Sequence, residues 1–271
     1  MKLINKKINE AIKQQLIDAG RHPVVAQILA ARKITSSQDV EYPIELLLSP
    51  DELLNCNEAA NFLSHAIRDQ KKITIVGDYD ADGASGSSVA ILGFRLLGTE
   101  VDFLIPSRFK NGYGLSSEIV DIAHTKKTDI IITVDNGIAS FEGINHANGL
   151  GIDVIVTDHH LQAENLPSAK FIINPNQKKC SFPSKNLCGA GVVFYLLIAL
   201  RKKLRDQDYF DNLNLKEPNP SIKGNNRNKT LLIEKYSHKM TAVIQCFYRL
   251  TQLIVAFLES LQSIRRKTPN I

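Results

Sequence analysis

The chain has 271 residues, 44% of them hydrophobic and 23% charged, with a formal net charge of +5. That length holds one large domain or two modest ones with ample core, and the composition is ordinary for a globular protein. The longest apolar run, residues 191–200, is too short to cross a bilayer, and the N-terminus carries no apolar block with a small-residue cleavage site, so a cytoplasmic protein is expected.

The positive charge is unevenly placed. Residues 212–271 hold ten Lys or Arg against three Glu and no Asp, a net +7, whereas residues 1–211 sum to −2. A basic tail of this kind could contact nucleic acid. Four cysteines occur, at 56, 180, 188 and 246, and none has C-x-x-C spacing. Neither a zinc knuckle nor a thioredoxin-type pair is supported, and buried free thiols are the expectation.

In chain order, the first segment (4–20) places Ile4, Ile8, Ile12 and Leu16 on one helical face and stops at Gly20. A second helix follows over 22–34 with Pro23 in its first turn. Residues 39–50 read as an irregular connection, and 57–70 as another helix. Strands and helices then alternate. A strand over 72–77 precedes a helix over 84–98, a strand over 100–106 precedes a helix over 114–126, and a strand over 128–137 precedes a helix over 140–151. A strand over 153–160 leads into a loop with Pro167. A last strand over 170–177 leads through a loop into a helix over 189–204. Apolar strands alternating with helices predict an α/β fold, a parallel β-sheet flanked by helices, behind an N-terminal helical extension.

The residues that end the strands carry the functional signal. The first strand runs into "GDYDADG", with Asp78, Asp80 and Asp82. An EF-hand loop would need a bidentate Glu at the twelfth position, which here is Val89, and a helix before it rather than a strand. The third strand ends in Asp135 and Asn136, and the fourth in Asp158, His159 and His160. In open parallel sheets ligands bind outside the carboxyl ends of the strands, so all three clusters fall on one edge. Asp and His together suit Mn²⁺, Mg²⁺ or Zn²⁺, and no thiolate belongs to the set. So many carboxylates on one edge would repel one another unless cations sat between them. Two metals about 3.5–4 Å apart serve in-line displacement at phosphorus, activating a water and stabilising charge on the phosphate oxygens. Asp135 is the candidate bridge between them. Arg108, in the loop after the second strand, could meet a phosphate. Residues 189–194, "GAGVVF", only partly imitate a dinucleotide turn, and close packing at a helix start explains them better.

With "GDYDADG", "VDNG" and "TDHH" on successive strands, the chain resembles the DHH phosphoesterase superfamily. Within it, "HPVVAQILAARKI", "IPSRFKNGYGL" and "INPNQ…CGAGVVFYLLIALR" are similar to the RecJ family of single-strand-specific 5′→3′ DNA exonucleases. The resemblance runs from about residue 20 to about residue 210. It implies a DHH phosphoesterase domain over 57–211, after an N-terminal helical extension over 1–56. It implies two divalent ions, Mn²⁺ or Mg²⁺, with Asp80 and Asp82 each on one ion, Asp135 bridging and His159 a ligand. His160 would act at the scissile phosphate, and Asp78 and Asp158 would orient ligands. Single-stranded DNA would be the partner, held in a basic or aromatic-lined channel and released as 5′-mononucleotides during DNA repair and recombination.

One departure is visible. The family carries a further metal-binding Asp after the helix that starts at "GAGVVF", and Asp211 is the last Asp in this sequence. The tail over 212–271 loses the resemblance where its charge rises. The expectation is an intact first half with a foreign, aberrant tail, and weak or absent exonuclease activity in this chain. The alternatives are a DHH enzyme for short oligonucleotides or small nucleotides, and a non-catalytic remnant that keeps the fold.

Overall fold

The computed structural model describes residues 7–32, 34, 36, 47–107 and 113–218. Arg108, most of the connection over 39–50 and the tail beyond 218 lie outside the described residues. The chain divides into two compact units between Leu48 and Ser49.

In the first unit, α1 (Glu10–Asp18) starts on Asn9, whose side chain accepts from the N–H groups of Ala11 and Ile12. Helix α2 (Pro23–Ala30) starts with Pro23 at a position where its missing N–H costs nothing, as the sequence predicts. Ile12, Leu16, Ala26 and Ala30 form their shared core.

The second unit is built on five parallel strands: β1 (Ile73–Gly77), β2 (Asp102–Leu104), β3 (Ile130–Val134), β4 (Asp153–Thr157) and β5 (Phe171–Ile173). Their order across the sheet is β2-β1-β3-β4-β5. β1 and β3 are buried along their whole length, which is why their sequences read as near-continuous apolar runs, broken only by the β-branched Thr74 and Thr133, rather than as alternations. Helices α5 (Ser117–Thr125) and α6 (Phe141–Gly149) pack on one face around Val76, Ile131, Val154 and Val156. Helix α7 (Gly189–Asp206) packs against both α3 (Cys56–Arg68) and α4 (Ala81–Leu96), and all three pack against the strands. A short helix, α8 (Tyr209–Asn212), follows.

Two features position the site. First, β1 connects outward to β2, and the chain then returns to place β3 on the other side of β1. The strand order therefore reverses between β1 and β3, where a ligand crevice opens in such sheets. Second, α4 begins at Ala81, three residues before the sequence predicts, because Asp80 caps it by accepting from Gly83 N–H at 2.9 Å. Asp82 therefore stands in the first helical turn and not in a loop. Small residues on α4 let α7 approach closely. A Cβ on Gly86 would lie 3.2 Å from Ala190 Cα, and one on Gly93 would lie 2.4 Å from Leu197.

Candidate metal centre

β1, β3 and β4 each hand their last ladder hydrogen bond to a residue that carries chemistry. Asp78 N–H donates to Val134 O at 3.2 Å, Asp135 N–H to Thr157 O at 2.9 Å, and Asp158 N–H to Ile173 O at 3.1 Å. Beyond these points the ladder stops and side chains take over. Asn136 is fully buried, and its amide donates to Val76 O at 3.1 Å and Val134 O at 2.9 Å, tying the ends of β1 and β3 together. Asp135 has φ +63, a left-handed conformation that Asp and Asn tolerate better than most residues.

Asp135 lies at the centre. Its carboxylate is 1% exposed, and Oδ1 lies 3.1 Å from His159 Nε2 yet accepts no hydrogen bond. Proximity alone therefore links the two groups, and the oxygen remains an orphaned buried acceptor. Burial first, then the charges of Asp82 and Asp80, push its carboxyl up to about 8. One oxygen each from Asp78, Asp80 and Asp135 lies within 4.8 Å of the others, and so do atoms of Asp135, His159 and His160. The two triads share Asp135. Asp78 is buried, accepts from Tyr79 N–H at 2.7 Å, and is also raised, chiefly by burial.

Asp82 is placed differently. Its two oxygens accept from Gly189 N–H at 2.7 Å and Ala190 N–H at 3.0 Å, so it caps α7 from α4. One of those oxygens also lies 3.6 Å from His159 Nε2.

Asp158 is 1% exposed, and burial alone would raise it. The hydrogen bonds from the His160 ring, Ile138 N–H and His160 N–H outweigh burial and hold it below the usual carboxylate range. The His160 ring nitrogen Nδ1 lies 2.7 Å from Asp158 Oδ1, and that bond raises His160 to about 9. Tyr113 stands edge-on to both Tyr79 and His160, with ring centres 6.4 and 6.1 Å away, and its hydroxyl reaches Asp135 O at 3.4 Å.

The structure thus gathers Asp78, Asp80, Asp135, His159 and His160, with Asp158 behind His160 and Asp82 bridging to α7. Sequence reading left Asn174 and Asn176 without a role. Asn174 and Asn176 donate to the main-chain carbonyls of His160 and His159. Gly189 packs directly on Asp135, as the close-packing reading of "GAGVVF" anticipates in kind but not in partner.

An orphaned buried carboxylate oxygen within two triads of oxygen and imidazole donors is what a hard or borderline divalent ion would satisfy. A parallel sheet with such a donor set at its switch point defines the class: an α/β protein with a candidate metal centre. A scan of protein families matches residues 72–216 to the DHH family, N-terminal domain, and the chain belongs to that family. It is 48% identical over 198 residues to the single-stranded-DNA-specific exonuclease RecJ of Escherichia coli K12, covering 73% of this chain and 34% of that protein. Among solved structures, it is similar to exonuclease RecJ bound to manganese, at 34% identity and a TM-score of 0.53. That match covers 64% of this chain and 41% of the other. RecJ of Thermus thermophilus in complex with Mn²⁺ gives 30% identity and a TM-score of 0.52, covering 78% and 28%. The chain spans about a third of the length of the RecJ proteins of Escherichia coli and Salmonella typhimurium.

Proposed function

We propose that residues 57–211 form the DHH phosphoesterase domain of a metal-dependent exonuclease of RecJ type. It acts on single-stranded DNA in repair and recombination within the cytoplasm, with 1–56 as a helical extension and 212–271 as a basic tail. The observation that carries this reading is Asp135 Oδ1, buried and without a hydrogen-bond partner where two donor triads meet. The relatives are named for single-stranded DNA exonuclease activity, and two solved relatives hold manganese.

Asp80, Asp82, Asp135 and His159 are the proposed ligands of two Mn²⁺ or Mg²⁺ ions, and Asp78 has the geometry to join them. When bound, the ions supply positive charge to the phosphodiester and ready a water for attack. The protein contributes the rest. Asp135 spans the two triads. Asp158 holds the His160 ring by Nδ1, so His160 keeps a proton at neutral pH and can offer it to a phosphate oxygen or the leaving group. Tyr113, beside His160, and Tyr79, beside Tyr113, present ring surface on which a splayed nucleotide base can stack. Arg108 remains a proposed phosphate contact. Among the described residues no helix is long and apolar enough to cross a membrane.

The 271-residue sequence has no Asp beyond Asp211, so turnover by this chain is expected to be weak. The test is hydrolysis of 5′-labelled single-stranded DNA with Mn²⁺, beside an Asp135→Ala control. Release of 5′-mononucleotides by the parent alone supports the reading. Release by both sinks it, and release by neither favours a non-catalytic remnant.

A further inference from the structure

The His159–His160 dipeptide lies past the end of β4, and its main-chain polar groups must find partners outside the ladder. Both N–H groups donate to one atom, Asp158 Oδ1, at 2.7 and 3.1 Å. The two carbonyls accept from side-chain amides: Asn176 Nδ2 reaches His159 O, and Asn174 Nδ2 reaches His160 O at 2.9 Å. Three side chains thus hold all four groups of the dipeptide. The Asn pair is itself fixed. Asn174 is fully buried and accepts Asn176 N–H on its own Oδ1 at 2.7 Å. Gln177 Nε2 donates back to Ile172 O at 2.8 Å, and Lys185 Nζ donates to Pro175 O at 2.7 Å between the two asparagines.

From this we infer that Asn174 and Asn176 are positioning residues for the metal centre. They hold the His159 and His160 carbonyls, and so set where the two imidazoles stand relative to Asp135. The bracket starts directly after β5, where Ile173 O accepts Asp158 N–H. The two amides therefore extend the β4–β5 pairing by two residues, through side chains rather than main chain. A main-chain ladder would keep the strand straight and direct successive side chains to opposite faces. Side-chain anchoring lets the chain bend, so both rings converge, with centres 4.7 Å apart. The inference rests on the metal-centre reading above.

The test separates the two claims. In the metal-free 271-residue protein, ¹⁵N imidazole spectra of His159 and His160 report ring placement with no ion present. Asn176 is only part-buried, so Asn176→Ala is expected to fold and to shift both ring signals toward those of free histidine, and Asn176→Gln, which keeps the donor, to restore them in part. Asn148→Ala is the control: it removes an amide bond of the same kind, to Ser168 O at 2.9 Å on α6, and should leave the rings unchanged. Ring signals that do not move in Asn176→Ala, or that move equally in Asn148→Ala, overturn the inference. A Mn²⁺ titration of the parent tests the metal reading separately. Where the parent binds, Asn176→Ala should bind about 10-fold more weakly or worse, and equal affinity would also overturn it.

Discussion

Gly189, the first residue of α7, lies against the carboxylate of Asp135: a Cβ at 189 would stand 2.5 Å from Oδ1 and 2.6 Å from Cβ of Asp135. No side chain fits there. The helix start and the central carboxylate are therefore built to touch, and Asp82, bonded to Gly189 N–H, keeps them together. Gly189→Ala is expected to destabilise the protein by about 1–3 kcal/mol through overpacking. It should also weaken Mn²⁺ binding, because Asp135 must turn aside. Thermal melts with and without Mn²⁺ check both effects, and an unchanged ion-induced shift would refute the second.

Asp135→Asn keeps the shape, and Asn accepts a left-handed backbone. It removes a buried charge whose Oδ1 has no hydrogen-bond partner. The metal-free variant should be more stable than the parent at both pH 5 and pH 9, and by more at pH 9, because from pH 3.8 upward the unfolded parent sheds a proton that the folded parent keeps. Stabilisation by Mn²⁺ should disappear. Denaturant titrations at the two pH values decide this, and a less stable variant at pH 9 would contradict it.

The metal-free chain should lose stability as pH rises. Asp135 in the folded state titrates at about 8, above the ordinary value of 3.8. Between these values the folded chain keeps a proton that the unfolded chain has shed, so stability falls across that window. His160 titrates at about 9 against 6.5, so its contribution is complete below 6.5 and lost as pH rises through 9. Asp158 works in the opposite sense, contributing above 3.8 and failing as pH falls through its lowered value. Melting temperature without ions should therefore be lower at pH 9 than at pH 6. Ion binding needs Asp135 ionised, so the Mn²⁺-induced rise should grow over the same range. A rise that shrinks with pH would refute the assignment of Asp135.

Asp82→Ala leaves two N–H groups at the start of α7 without their acceptor. A loss of about 1–2 kcal/mol is expected from the cap alone. Hydrogen exchange at the first turn of α7 should speed up even without ions, which distinguishes a capping role from a purely metal-binding one. Protection equal to the parent would show that Asp82 does not hold the helix.

Asp158→Asn should release His160. The neutral amide cannot hold a positive ring as the carboxylate does, so His160 should titrate nearer its ordinary value, and any phosphodiester hydrolysis at the proposed metal centre should fall above pH 7. An unchanged pH–rate profile would remove His160 from the chemistry.

The sequence by itself determined the layered α/β architecture, because buried parallel strands require near-continuous apolar, β-branched runs such as Ile130–Val134, and determined that Asp78–Asp82, Asp135 and Asp158–His160 share one edge. That edge follows from strand direction alone. Which strands adjoin does not, and only the strand order brought Asp135 beside Asp78 and Asp80 at the switch point. Nor does local spacing reveal contacts more than a hundred residues apart. Asp82 and Gly189 meet because α4 and α7 pack through small residues. Asn174 and Asn176 reach the histidines because β5 pairs with β4. Hydrogen bonds to main-chain carbonyls leave no pattern of residue types in a single sequence, so these supports became visible only when the chain was folded.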